Sequence, residues 1–334
     1  MRAVRTSVTA EPEPRSPRFR SRNTLSYPPV MREQALLAHI AATTPPHPIA
    51  LVGPGDDCAV VATPSSASLL VTTDQVIEGR HFRAGEDLTL VARKAVCRSL
   101  SDIAAMGGGS ERWAVATGAL PRGMSEQEAK RLTDALHAVA NSFHCPIVGG
   151  DIAATDGPMV LTVTVAAAPH PVRGPVLRST AQINDVVYVT GALGGSLPSR
   201  RHLTFTPRLA EAAWLATLLG PSLHAMMDVS DGVGIDASRL ARASHVAVTL
   251  DAALLPRHEH VPNWQSAAGD GEDYELLFTA PSGSPVPSRC PHTGTAVTAI
   301  GRVTSPSAAG PACVIIDPDG VHHDAGAFGW EHRS

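Results

Sequence analysis

Lysine is nearly absent from this sequence, because Lys94 and Lys130 are the only two among 27 basic residues. The formal net charge is −4, so a basic surface of the kind that binds nucleic acid is not expected. Aromatic residues make up only 4% of the chain, so its cores must consist mainly of Ala, Val, Leu and Ile. No apolar run approaches the ~18 residues of a transmembrane helix, which argues against an integral membrane protein.

Paired cysteines are also lacking. The chain has five cysteines, an odd number, and none of them forms a Cys-x-x-Cys pair. A disulfide framework or a zinc site would require paired spacings, so we expect reduced thiols in a cytoplasmic protein.

The common nucleotide-binding motifs are missing as well. The sequence contains no Gly-x-x-x-x-Gly-Lys-Ser/Thr loop and no His-Arg-Asp or Asp-Phe-Gly of a protein kinase. The glycines of 191–196 lack the spacing of a dinucleotide-binding turn, and we interpret this segment as an ordinary turn. Any bound phosphates should therefore be held mainly through metal ions and backbone amides.

The chain length of 334 residues predicts two domains. Residues 1–30 are rich in arginine and proline and predict a disordered tail, unless translation begins at Met31. A Pro-rich stretch at 169–175 indicates the boundary between the domains. We therefore expect a tail (1–30), an N-terminal domain (31–170) and a C-terminal domain (171–334).

Hydrophobic periodicity predicts a mixture of helices and strands without a regular βαβ repeat, which favours a two-domain α+β fold over a doubly wound sheet. Predicted helices cover 32–42, 88–106, 125–142, 207–219 and 235–243. Predicted strands cover 68–73, 113–120, 147–148, 158–168, 185–190, 226–228, 274–279 and 314–317. Ser125, followed by Glu128, predicts a capping box at the start of the third helix.

Acidic residues lie beside glycines or directly after apolar runs, instead of on helix faces next to arginines. Six short motifs show this placement: 55–57, 72–74, 101–102, 149–151, 228–232 and 271–273. Carboxylates that converge from separate loops suit Mg²⁺, which prefers oxygen ligands and shares its remaining positions with water and substrate phosphates. The pattern therefore predicts a metal–phosphate site, although each motif alone would be an ordinary turn.

These motifs, in their order and spacing, resemble those of thiamine-monophosphate kinases, in the superfamily of aminoimidazole ribonucleotide synthetase and selenophosphate synthetase. The resemblance runs from about residue 31 to residue 333, and the motifs that carry it are 53–57, 72–82, 100–107, 148–151, 228–232 and 271–276. It implies two α+β domains, a homodimer formed through the N-terminal sheets, and ATP bound near that interface. The implied reaction moves the γ-phosphoryl group of ATP to thiamine monophosphate, with several Mg²⁺ ions and ATP as co-substrate.

The resemblance also implies roles for individual residues. It places magnesium ligands at Asp57, Thr72, Thr73, Asp74, Asp102, Asp151, Asp228 and Asp231. It places ATP contacts at Gly150, Asp151, Arg178 and Ser230, and catalytic roles at Asp102, Asp151 and Arg178. Contacts to thiamine monophosphate would fall on His81, Glu272 and an aromatic residue near the C-terminus, for which Trp330 is the candidate. From the residues alone, a structural role for His81 and for Arg178 stays open as the alternative.

The sequence departs from the family pattern at several positions. Ile152 stands where a threonine is usual, Ser99 where an asparagine is usual, and Arg333 where an aromatic residue would contact the thiamine ring. Two alternatives therefore stay open: a divergent enzyme that uses ATP on another small acceptor, and a non-catalytic nucleotide-binding paralogue. All the metal-binding acids are present, which argues against the second alternative.

Overall fold

The computed structural model describes residues 33–64, 67–307 and 310–330. Its strands are β1 Ala50–Val52, β2 Ala59–Ala62, β3 Ser68–Ile77, β4 Ser110–Pro121, β5 Ile147–Thr155, β6 Val160–Ala168, β7 Asp185–Thr190, β8 Ala225–Asp228, β9 Ala247–Asp251, β10 Leu276–Pro281, β11 Val297–Thr304, β12 Cys313–Ile316 and β13 His322–Asp324. Its α-helices are α1 Glu33–Thr43, α2 Leu88–Ala105, α3 Glu126–Ser142, α4 Arg201–Thr204, α5 Leu209–Leu219, α6 Val233–Ala243 and α7 Trp264–Gly269.

The strands form two separate mixed sheets, as the α+β interpretation predicts. The first sheet has six strands in the order β1-β2-β3-β6-β4-β5, and only the β4–β5 pair is parallel. The second has seven strands in the order β13-β12-β9-β11-β7-β10-β8, with β12 and β9 parallel. The predicted boundary lies in the segment that connects the two sheets, and the division into domains at residue 170 stays a prediction.

Helix α2 occupies the centre of the molecule. It packs on β3 and β6 of the first sheet, and its other sides contact α3, α4, α5 and β8. Twelve of its 18 residues are buried, among them Lys94 and Ser101. Asp87 begins the helix by accepting hydrogen bonds from the backbone N–H groups of Thr89 and Leu90. Because α2 contacts both sheets, side chains on its surface can meet loops from either half of the chain.

Most predicted elements are present with shifts of a few residues at their ends, and the capping box of Ser125 and Glu128 has both of its hydrogen bonds. Two expectations are wrong. The strand predicted at 147–148 continues through Gly149–Asp151 to Thr155, because the whole segment pairs with β4. The strand predicted to end at Asp74 continues to Ile77, because β6 pairs with it along its length.

No helix among the described residues is both long and apolar enough to cross a membrane. The tail predicted for 1–30, Met31 and Arg333 lie outside the described residues. Trp330 is the last residue that the structure describes.

Candidate active site

Three carboxylates from distant parts of the chain meet where α2 approaches the second sheet. Asp57 comes from the loop between β1 and β2, Asp102 from the last turn of α2, and Asp228 from the end of β8. One oxygen of each lies within 4.8 Å of the others. The sequence predicted these three acids to converge, and Asp102 lies in the helix predicted at 88–106.

Hydroxyl groups orient two of these carboxylates. Thr72 of β3 donates a hydrogen bond to Asp102 Oδ2, and the buried Ser101 donates to Asp228 Oδ2 at 2.6 Å. Asp57 Oδ2 is buried and has no hydrogen-bond partner. A buried carboxylate oxygen without a donor is costly unless a cation fills the space beside it.

Arg178 is the cation closest to the Asp57 side of the cluster. Its guanidinium group donates to Asp57 Oδ1, and its backbone N–H donates to Asp56 Oδ2 at 3.1 Å. Burial nevertheless raises the pKa of Asp57 well above its usual value, because one arginine does not offset desolvation and repulsion from Asp228 and Asp56. The contact with Asp56, which was not among the predicted site residues, fixes the loop that carries Asp57.

Burial and mutual repulsion raise the pKa values of all three clustered acids. The pKa of Asp102 lies well above its usual value, through desolvation first and then repulsion from Asp74, Asp228 and Asp57. The pKa of Asp228 is raised to about 6, mainly by burial. Hard oxygen donors, excess negative charge and the orphaned oxygen of Asp57 together fit a magnesium site, with Thr72 and Asp74 beside it.

We expect the metal-free protein to lose stability as the pH rises. The folded-state pKa of Asp228, about 6, exceeds the ordinary value of 3.8, so the folded chain binds more protons than the unfolded chain between these values. Stability therefore falls as the pH rises through this window. Denaturation in EDTA at pH 5 and pH 7.5 should show the fall, and Mg²⁺ should reverse it. A stability in EDTA that rises with pH would contradict the prediction.

The loop after Asp228 is held by a buried acid that the sequence analysis missed. Asp236 Oδ2 accepts hydrogen bonds from the backbone N–H groups of Ser230, Asp231 and Gly232, at 3.0–3.2 Å. Arg239 bridges Asp236 Oδ1 at 2.7 Å and Asp231 Oδ2 at 2.6 Å. Burial raises the pKa of Asp236 to about 7. Its position four residues after Gly232, inside a predicted helix, gave no sign of this role.

The predicted acceptor residues His81 and Glu272 lie on either side of a buried lysine. The fully buried Lys94 Nζ forms an ion pair with Glu272 Oε2 and donates to the carbonyl oxygen of His81 at 2.9 Å. The backbone N–H of Glu272 donates to the carbonyl oxygen of Ser230 at 2.6 Å, which joins this region to the Asp228 loop. Glu272 and Tyr274 have left-handed backbone conformations, with φ of 55° and 54°. Such conformations persist only where the surroundings fix them.

The structure does not bring the side chains of Thr73 and Asp151 to the cluster. Thr73 points to the opposite face of β3 from Thr72, where its hydroxyl lies 2.9 Å from that of Thr164. Asp151 is exposed in β5, and β6 and β4 separate β5 from β3. Three strand spacings amount to about 14 Å. A ligand role for Thr73 would need its backbone oxygen.

Two other predicted contact residues, Gly150 and Trp330, lie outside the cluster. Gly150 lies in β5, where a Cβ would collide with the carbonyl oxygen of Ala116, so pairing with β4 alone already requires glycine. Trp330 is 54% exposed, and its backbone N–H donates to the carbonyl oxygen of Asp231 at 2.9 Å. The C-terminal segment is thereby tied to the loop that follows Asp228.

The segment 191–196 is a turn, as predicted. Asp273 accepts from the backbone N–H of Gly194 through both oxygens, at 3.0 and 3.1 Å, and pairs with Arg201 at 2.6 Å. Asp270 accepts from the N–H of Gly195 at 2.9 Å. These glycine N–H groups are already occupied by carboxylates of the chain.

Comparison with known proteins identifies the family of the chain. Residues 55–168 match the family model described as "AIR synthase related protein, N-terminal domain". The thiamine-monophosphate kinase of Rhodopirellula baltica is 34% identical over 288 residues, which cover 81% of this chain and 89% of that protein. The chain belongs to the thiamine-monophosphate kinase family. The Escherichia coli K12 member of this kinase family is 31% identical over 285 residues, covering 76% of this chain and 84% of that protein.

Solved structures extend the family match to the fold. AaThiL complexed with AMPPCP and TMP superimposes with a TM-score of 0.75 at 27% identity, covering 90% of this chain and 97% of that one. Thiamine-monophosphate kinase from Stenotrophomonas maltophilia K279a gives a TM-score of 0.66 at 27% identity, over 88% of this chain and 98% of that one. The two-domain α+β architecture expected from the sequence is therefore that of this kinase family.

Proposed function

We propose that this chain transfers the γ-phosphoryl group of ATP to the phosphate of thiamine monophosphate, giving thiamine diphosphate. The observation that carries the proposal is the cluster of Asp57, Asp102 and Asp228. The backbone contact of Glu272 with Ser230 joins the loop after Asp228 to the predicted acceptor residues around Lys94. A chain of the same fold and family has been solved with an ATP analogue and TMP together.

The chemistry suits these side chains. The acceptor oxygen is already anionic near neutral pH, so the reaction needs no general base. It needs charge neutralisation, because bringing two unit charges to ~4 Å costs several kcal/mol at an intermediate dielectric. Bound magnesium would neutralise phosphate charge, and Asp57, Asp102 and Asp228 would hold it, with Asp74 and Thr72 beside them.

The remaining residues have positioning roles in this proposal. Arg178 would orient a phosphate while it holds the Asp57 loop, since its planar guanidinium group can contact two oxygens at once. Asp236 fixes the backbone of Ser230 and Asp231, the predicted nucleotide and metal contacts. Trp330 would cover the thiamine ring. The roles of Gly150 and Asp151 in ATP binding stay predictions.

We also propose that the chain acts as a homodimer through its first sheet. Helices α2 and α3 pack on one face of this sheet, and the opposite face presents exposed side chains, including Thr73, Gln75, Trp113 and Thr117. At the β5 edge, Val148 is also exposed. Sedimentation should give twice the chain mass, and a charge at Trp113 (Trp113→Glu) should shift the protein toward monomer. A wild-type monomer would reject this assembly.

The activity assay supplies ATP, Mg²⁺ and thiamine monophosphate and follows ADP release, with thiamine diphosphate identified by mass. Product formation would support the proposal. ATP binding without product, in a protein that binds Mg²⁺, would reject thiamine monophosphate as the acceptor and favour another small phosphorylated acceptor. Ile152 and Arg333 would then be the first residues to replace.

A further inference from the structure

One face of α2 carries a row of three charged residues along the active site. Lys94, Arg98 and Asp102 are spaced four residues apart, so successive side chains lie about 6 Å apart along one side of the helix. Lys94 contacts the predicted acceptor residues, and Asp102 belongs to the carboxylate cluster. Arg98 therefore lies between the region assigned to the acceptor and the region assigned to the metal.

The contacts of Arg98 leave part of its guanidinium group available. Its Nη2 lies 3.3 Å from Asp74 Oδ1, and its Nη1 donates to the carbonyl oxygen of Gln75 at 3.2 Å. Both distances are at the long end for charge-assisted hydrogen bonds. The side chain is 18% exposed to solvent. Burial lowers the pKa of Arg98, but the nearby Tyr274, Asp74, Glu272 and Asp102 raise it above its usual value.

Two other cations lie near this path, and each is paired with carboxylates at a different place. Lys94 has no exposed side-chain surface and contacts Glu272 and the His81 carbonyl. Arg178 lies on the far side of the cluster, where it pairs with Asp57 and Asp56. Among these three cations, Arg98 alone combines partial exposure with a position between Asp74 and Glu272. Its planar fork can contact two oxygens of a phosphate at once.

We propose that the Arg98 guanidinium group binds the phosphate of the acceptor and holds it at the edge of the carboxylate cluster. This inference rests on the proposed function and adds a residue that neither the sequence motifs nor the family resemblance assigns. The competing interpretation is that Arg98 only holds Asp74 in place. The two interpretations differ in whether the effect of Arg98 depends on the phosphate of the ligand.

The test compares two ligands that differ by that phosphate. Binding of thiamine monophosphate and of thiamine is measured by calorimetry with the full chain, Mg²⁺ and AMPPCP, for wild type and Arg98→Met. A hydrogen-bonded charge contact corresponds to about a 10- to 100-fold change in affinity. We expect Arg98→Met to lower the affinity for thiamine monophosphate by that factor and the affinity for thiamine by less than about 3-fold. Arg98→Lys keeps the charge but lacks the planar guanidinium group, so it should lower the affinity for thiamine monophosphate by an intermediate factor.

Arg93→Met is the matched control from the same helix. Arg93 donates to the carbonyl oxygen of Phe205 at 2.6 Å and lies over the ring of Phe143, with no carboxylate partner among the described residues. Its loss can reduce stability, but the affinity ratio of the two ligands should stay as in wild type. If Arg98→Met does not fold, the affinity ratio measured with Arg98→Lys decides between the phosphate contact and the role in holding Asp74.

The outcomes separate the two claims. An unchanged affinity ratio in the Arg98 variants of an active enzyme overturns the phosphate contact and leaves the proposed function intact. If the affinity ratio is unchanged but the variants require more Mg²⁺, then Arg98 only holds Asp74 in place and does not contact the phosphate. A wild-type protein that binds no thiamine monophosphate and forms no thiamine diphosphate refutes the proposed function, and the Arg98 inference with it.

Discussion

Asp102→Asn is expected to lower kcat by at least about 100-fold while the fold stays intact. The substitution keeps the size of the side chain, and the amide oxygen can still accept the hydrogen bond from Thr72. It removes one of three converging negative charges, and with it a ligand that a divalent cation needs. A coupled ADP-release assay at saturating ATP and acceptor measures the loss.

The same variant should be no less stable than wild type without magnesium. In wild type, desolvation and the charges of Asp74, Asp228 and Asp57 raise the pKa of Asp102 well above its usual value, so its ionised form is unfavourable in the folded chain. An amide at this position removes that repulsion. Thermal denaturation in EDTA should give an equal or higher Tm, and added Mg²⁺ should stabilise the variant less than wild type.

Asp156→Asn is the control for this experiment. Asp156 is 85% exposed and pairs with Arg122 at 2.8 Å, far from the cluster in the connection between β5 and β6. Its substitution should change neither kcat nor the Mg²⁺ requirement. Full activity of Asp102→Asn would remove the carboxylate cluster from the mechanism.

The sequence predicted the elements whose own residues determine them. Helix α3 has a capping box and an amphipathic pattern, and β7 is an apolar run that begins at Asp185, so both were located within a residue or two. Elements that depend on a distant partner were harder to find. The strand β5 carries two consecutive glycines and has mostly exposed residues, and only its pairing with β4 makes it a strand.

The residues of the candidate site also fall into those that the sequence showed and those that only the fold shows. The acids next to glycine in the motifs were recognisable as a set, and Asp57, Asp102 and Asp228 do converge. Residues that act by contacting those acids carry no local signal. Arg98 and Asp236 lie inside predicted helices. Only the tertiary fold shows that Arg98 contacts Asp74 of β3 and that Asp236 holds the loop after Asp228.

Lys94 also escaped the sequence analysis, although the scarcity of lysine pointed to it. An arginine-rich chain keeps a lysine here because the site is closed: the side chain has no exposed surface and its ammonium group reaches both Glu272 and the carbonyl oxygen of His81. A guanidinium group is larger and planar, and it would require more space than this compact ammonium group.

Lys94→Met is expected to destabilise the protein by about 3 kcal/mol. Methionine fills a similar volume, but it leaves the Glu272 carboxylate without its cation in a largely buried position. Urea denaturation measures the loss. Adding Glu272→Gln to the variant should restore part of the stability, because it removes the uncompensated charge; a fully additive double variant would contradict the pairing.

The other lysine of the chain provides the control. Lys130 pairs with Glu126 on the exposed surface of α3, and Lys130→Met should cost less than about 0.5 kcal/mol. The activity of Lys94→Met at low temperature, where it stays folded, separates two roles. If Lys94 positions His81 and Glu272 for the acceptor, KM for thiamine monophosphate should rise while KM for ATP stays near the wild-type value. Equal increases in both KM values would indicate a general loss of structure around α2, and Lys94 would then have no specific part in acceptor binding.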